Sequence, residues 1–155
     1  MIITNSASGF ADPDEWRERN LTLVKQIADQ VELEGVECLR DSWVNPGRSR
    51  RIHPDTRELL SKEFSEHSAQ GIVDSFRTTN YSLPLGESVR DISVPVLFTH
   101  GVEEERFQKH LSRVRLIPQV EIVDLPASHA VNAHDPAGWN QATIAFIKRH
   151  TNIGA

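Results

Sequence analysis

Residues 94–136 read VPVLFTHGVEEERFQKHLSRVRLIPQVEIVDLPASHAVNAHDP. VPVLFTH is a near-continuous apolar run, the pattern of a parallel strand covered on both faces. VEIVDLP is a second short run of β-branched residues, and the segment between them carries Phe107, Leu111, Val114 and Leu116 at helical spacing over Glu103–Leu116. Each strand ends in a polar loop. The first loop offers Glu103, Glu104 and Glu105, and the second offers His129. An open α/β sheet presents its chemistry at the carboxyl ends of its strands, so these loops hold the candidate functional residues.

Working outward, Pro136 starts a helix to His150 with Trp139, Ala142, Ile144, Ala145 and Ile147 expected to face inward. At the other end, MIITN is a β-branched run stopped by the turn formers NSASG. Asp12 as cap with Pro13 at the first helical position opens a helix through Val31 that Gly35 closes. A second helix is predicted from His53-Pro54-Asp55 through His67 and a third within SAQGIVDSFRTTN, and Leu83–Arg90 reads as a linker. The order is strand, helical insertion, strand, helix, strand, helix, without repeats or low-complexity tracts. The expected class is α/β, with a parallel sheet of about three strands. Residues 1–9 and 91–155 form the core in this reading, and residues 10–90 form the insertion and its linker.

The 155 residues suffice for a real core. A net charge of −5, from 17 basic and 22 acidic residues, gives no electrostatic footprint for nucleic acid, and the basic cluster Arg48, Arg50 and Arg51 reads as a solvated loop. Cys38 is the sole cysteine, which excludes an internal disulfide and a cysteine-based zinc site and fits a reducing compartment. It reads as a structural thiol. The seven histidines include no HxH or HExxH spacing, so neither metal nor cofactor is expected. No apolar run reaches membrane-spanning length and no signal peptide is visible, so the expected location is the cytoplasm. His100 and His134 read as exposed loop-edge residues. The three tryptophans read as packing residues, with Trp43 as the best candidate to line a pocket.

DISVPVLFTHGVEE followed by VEIVDLPASHAVNAHDPAGWNQATIAFIKRH resembles the C-terminal half of an α/β-hydrolase of the single-domain esterase, lyase and C–C hydrolase type. MIITNSASG resembles that family's sixth strand and the loop entering its helical cap, so the resemblance implies an incomplete α/β-hydrolase sheet with a cap inserted between its first two strands. It also implies roles. His129 matches the catalytic base, and Glu104, three residues after Gly101, matches the orienting acid, where the family usually has aspartate. The family's nucleophile lies in G-x-S-x-G on a strand-to-helix elbow. That pentapeptide is absent from the sequence; Gly47-Arg48-Ser49 offers only a fragment of it in a proline-containing loop, and Ser6 and Ser8 follow the wrong strand. The resemblance therefore implies a truncated or split serine hydrolase of esters or related acyl bonds, or a non-catalytic binding module descended from one. The implied partners are a small acyl substrate together with an N-terminal complementing fragment or a second copy of the chain.

Overall fold

The computed structural model describes residues 1–6, 8–49 and 54–151, except the side chain of Asp55. The chain divides into two compact units, Met1–Phe10 with Leu85–Ala155, and Ala11–Pro84.

The first unit is built on a three-stranded parallel sheet in the order β1 (Ile2–Thr4), β2 (Val96–Gly101), β3 (Val120–Leu125). Register pairs Thr4 with Thr99, His100 with Asp124 and Gly101 with Leu125. All six residues of β2 are buried, as its unbroken apolar character requires. Alternation puts Val96 and Phe98 on one face, where they pack with Phe10, Val89, Phe107, Val114 and Ile117. The Phe98 and Phe107 rings stack at 5.3 Å, and Phe10 meets Phe98 edge-on at 5.7 Å. Phe10 and Val89, assigned from sequence to the insertion and its linker, thus belong to the core of the sheet unit. On the helix that follows β3, the inward stripe differs from the expected one. Thr143 and Phe146 are buried, whereas Ile144 and Ile147 are 51% and 37% exposed. Trp139, Ala142, Thr143 and Phe146 keep the i, i+3, i+4, i+7 spacing of one helical face, and the two isoleucines fall beside it.

The second unit is helical. Helix α1 (Pro13–Leu23) starts where expected, with the Asp12 carboxylate accepting from the Asp14 and Glu15 amides. It continues through a π-helical turn at Val24–Ala28 into α2 (Asp29–Glu34), which ends at Gly35 with φ of 79°. Then come α3 (Pro54–Ser65) and α4 (Ala69–Asp74); His53 lies outside the described residues. The core joins Ile27, Ala28, Val31 and Leu39 to Phe64, Ile72 and Val73. Cys38 is half-buried beside it, and burial, with Glu34 nearby, holds its thiol above the ordinary range, in keeping with a structural thiol. Trp16 is tied by its indole N–H to the Asn80 carbonyl at 2.5 Å, but Trp43 is 68% exposed and does not serve as a packing residue. A cavity of about 320 Å³ opens in this unit between Val36, Arg40, Lys62 and Phe64, and Trp43 is not in its lining.

In the sheet unit, the predicted helix after β2 is broken in two, α5 (Glu105–Gln108) and α6 (Leu111–Val114). At the break the His110 carbonyl accepts from the Arg113 and Val114 amides and restarts the helix. The chain closes with α7 (Val131–His134) and α8 (Pro136–His150), the latter capped by Asp135.

Cations hold the Glu32 and Glu121 carboxyls below their ordinary range. Arg77 bonds Glu32 at 2.7 Å and Asp29 at 2.8 Å, and this pairing lowers the Glu32 pKa below its ordinary 4.5. Glu121 on β3 is lowered likewise by His150 and then Arg149 of α8. A depressed carboxylate pKa contributes stability above the unfolded-state value and loses it as pH falls through the folded value. The melting temperature is therefore expected to decline as pH drops below about 4.5, and Arg77→Gln is expected to flatten the part of that decline that Glu32 contributes. Differential scanning fluorimetry from pH 7 to pH 3 checks both; a melting temperature independent of pH in that range would contradict them.

Candidate functional site

The carboxyl ends of β2 and β3 carry the two loops singled out by sequence. Gly101 is what lets them meet. A Cβ at that position would lie 2.3 Å from the Ser128 carbonyl oxygen and 2.5 Å from that of Ala127, so the loop after β3 crosses directly over the end of β2. Two backbone bonds fasten the crossing, from the Val102 amide to the Leu125 carbonyl at 3.1 Å and from the Glu103 amide to the Ala127 carbonyl at 3.0 Å.

Glu104 sits at the head of α5. Its flanking residues Glu103 and Glu105 are exposed, but Glu104 is 2% exposed. The three glutamates are therefore not equivalent solvated charges at a helix start. The Glu104 carboxylate caps the helix through the Arg106 amide at 3.3 Å. It also takes the Arg106 guanidinium on both oxygens, Nε to Oε1 and Nη2 to Oε2, each at 2.9 Å. That pairing raises the Arg106 pKa above the usual guanidinium value.

His129 follows β3, with its side chain 58% exposed. Its Nδ1 lies 3.8 Å from Glu104 Oε2, close enough for an ion pair and too long for a hydrogen bond. The two residues named from sequence are thus brought side by side, one buried and one open to solvent. An imidazole with Nδ1 turned to a carboxylate keeps Nε2 for proton transfer, the division of labour a general base needs.

Sequence reasoning missed three supports. Asn5, just beyond β1, is fully buried at φ of 40°, and its amide donates to the Ser128 and His129 carbonyls at 3.3 and 3.5 Å. It therefore ties the end of β1 to the loop that carries the imidazole. A non-glycine residue in the left-handed region directly after a strand is in principle suggested by asparagine before a run of turn formers, since asparagine tolerates that region. His134 is exposed as expected, yet its Nδ1 accepts from the Ser128 amide at 3.2 Å and braces the same loop. His100 overturns its expectation of exposure. It is 2% exposed, its Nδ1 lies 2.8 Å from the Asp124 carboxylate, and Gln108 meets its Nε2 at 3.2 Å. As the last residue but one of an all-buried strand, registered against Asp124, it finds its partner across the sheet rather than in water.

The sequence fragments weighed as nucleophile elbows do not form one. Pro46–Arg48 is a short 3-10 turn capped by Asn45, and Arg48 pairs with Asp41 at 3.6 Å; Arg50 and Arg51 lie outside the described residues. Ser8–Phe10 is likewise a single 3-10 turn. Among the described residues no group of three or more His, Cys, Asp or Glu side chains is placed to hold a metal, and no helix is long and apolar enough to cross a membrane.

No family profile matches the sequence, and no curated protein sequence matches it. Solved structures do match. The structure of MenH from S. aureus is similar over 97% of this chain and 59% of that one, at 19% identity and a TM-score of 0.80. A thermophilic esterase from Thermogutta terrifontis is similar over 97% and 56%, at 19% identity and a TM-score of 0.73. A carboxylesterase structure from Nitrososphaera gargenis follows, over 96% and 55%, at 16% identity and a TM-score of 0.68. The chain spans little more than half the length of these structures while almost all of it is matched. With its parallel sheet of three strands and its helices, the chain has the α/β-hydrolase fold in part.

Proposed function

We propose that the chain supplies the acid–base half of a serine hydrolase that cleaves esters or related acyl bonds. The observation that carries this reading is the 3.8 Å approach of Glu104 Oε2 to His129 Nδ1 at the tips of adjacent parallel strands. In this mechanism His129 takes the proton from a serine hydroxyl as it attacks the acyl carbon, then returns it to the departing oxygen. Glu104 holds the imidazole with Nδ1 protonated and offsets the charge that forms on it. The serine comes from polypeptide outside this sequence, which contains no G-x-S-x-G. An N-terminal complementing segment is therefore the expected partner, and the edge of β1 that pairs with no strand among the described residues is the surface for it or for a second copy of the chain. The lone cysteine supports a reducing, cytoplasmic setting.

The missing elbow also favours a second reading, a non-catalytic binding module built on the same fold. A fluorophosphonate serine probe separates the two. The 155-residue chain alone is expected to remain unlabelled. Joined to an N-terminal segment bearing G-x-S-x-G, taken from one of the similar structures, it is expected to be labelled at that serine and to hydrolyse p-nitrophenyl acetate. A folded chimera that neither labels nor hydrolyses would overturn the hydrolase reading in favour of the binding module.

A further inference from the structure

The Glu104 carboxylate lies between the Arg106 guanidinium, a permanent cation that already holds it, and the His129 imidazole, which becomes a cation only on protonation. Arg106 engages both of its oxygens at 2.9 Å, while the His129 imidazole stands off at 3.8 Å from Oε2. A bidentate guanidinium pair fixes a carboxylate in plane as well as in place, so Oε2 cannot close the remaining gap of about 1 Å to His129 without giving up part of the fork. Glu104 and Arg106 differ in setting. Glu104 is buried, with its side chain 3% exposed, whereas the Arg106 side chain is 68% exposed and lies at the surface. An arginine so exposed loses little hydration when it pairs and regains little when it leaves, which makes it an easily displaced partner. The charge argument points the same way. A carboxylate already neutralised by a guanidinium does less to stabilise a positive imidazolium beside it. The exposed Glu103 and Glu105 flank the pair.

From this geometry we infer that Arg106 is a positioning residue that acts as a latch, holding Glu104 back from His129 and so setting how strongly the acid engages the base. The inference deepens the hydrolase reading above and rests on it. When the latch opens, Oε2 accepts the Nδ1 proton of His129 in a direct hydrogen bond. No bond other than hydrogen bonds is made or broken, and the Arg106 guanidinium passes to water.

The test is nuclear magnetic resonance of the full chain labelled with 15N-histidine, in which two-bond 1H–15N correlations distinguish the two neutral tautomers of His129. In Arg106→Gln the Nδ1–H form is expected to rise roughly twofold or more, with its proton moved downfield by the carboxylate. Arg106→Lys, which can hold one oxygen but not form the fork, is expected to fall between and guards against a folding defect in the glutamine variant. A fall in the Nδ1–H form on Arg106→Gln would overturn the latch and make Arg106 a support for the couple. An unchanged His129 spectrum in both variants, with Glu104→Gln still altering it, would overturn the latch and leave the couple standing. If Glu104→Gln leaves His129 unchanged in the Arg106→Gln background as well, the couple itself fails, and the hydrolase reading falls with it.

Discussion

Gly101→Ala is expected to destabilise the sheet unit by about 3 kcal/mol or more and to separate the His129 loop from Glu104. The added methyl would meet the Ser128 and Ala127 carbonyl oxygens at 2.3 and 2.5 Å. Both obstacles are backbone, so no side-chain rotation relieves them, and the loop after β3 must lift. Lifting it strains the bonds from Val102 to Leu125 and from Glu103 to Ala127, and it pulls on the two carbonyls that Asn5 holds. Gly35→Ala provides the contrast. Nothing lies within 4 Å of a Cβ there, and only its φ of 79° opposes a side chain, so the expected cost is about 1 kcal/mol. Because the chain has two units, unfolding should be followed with a reporter confined to one of them. Trp139 serves: its indole N–H donates to the Thr4 hydroxyl at 3.1 Å within the sheet unit, and Trp16 and Trp43 can be replaced by phenylalanine. A urea midpoint for Gly101→Ala, read at Trp139, that coincides with the parent would contradict the close crossing of the two loops.

The second large effect is on catalysis. Under the proposed hydrolase reading, in the chimera that supplies the serine, His129→Ala is expected to lower kcat by about 1000-fold or more, because the serine proton then has no acceptor. Glu104→Gln keeps the size of the side chain but removes the negative charge beside Nδ1. It is expected to cost about 100-fold or more in kcat with little change in KM, since the carboxylate acts on the charge that develops in the transition state rather than on bound substrate. The kcat and KM for p-nitrophenyl acetate hydrolysis check both.

The strands and the terminal helix could be read along the chain because each reports its environment locally. VPVLFTH is apolar at nearly every position because both faces of β2 are covered, and Pro136 marks the start of α8. Burial on α8 was less legible. Ile144 and Phe146 are equally apolar, and only the packing selects Phe146 for the interior. The candidate site shows the same division. Glu103, Glu104 and Glu105 are indistinguishable as a run of charges, yet the turn after Gly101 aims only the middle one inward. The His100–Asp124 pair and the Asn5 clamp are contacts set by register and loop crossing, so short-range spacing could not reveal them; the Arg106 fork joins residues two apart and depends on the turn that buries Glu104. Asp124 was visible as a residue; its role as partner to His100 follows only from the pairing of β2 with β3.

A double-mutant cycle on the chimera that supplies the serine asks most directly whether Glu104 and His129 work as one device. It compares kcat/KM of the parent with Glu104→Gln, His129→Ala and the double variant. Residues that act as a unit are strongly non-additive, so the double variant is predicted to be no slower than His129→Ala alone. Losses that multiply, or a His129→Ala enzyme as fast as the parent, would contradict the account.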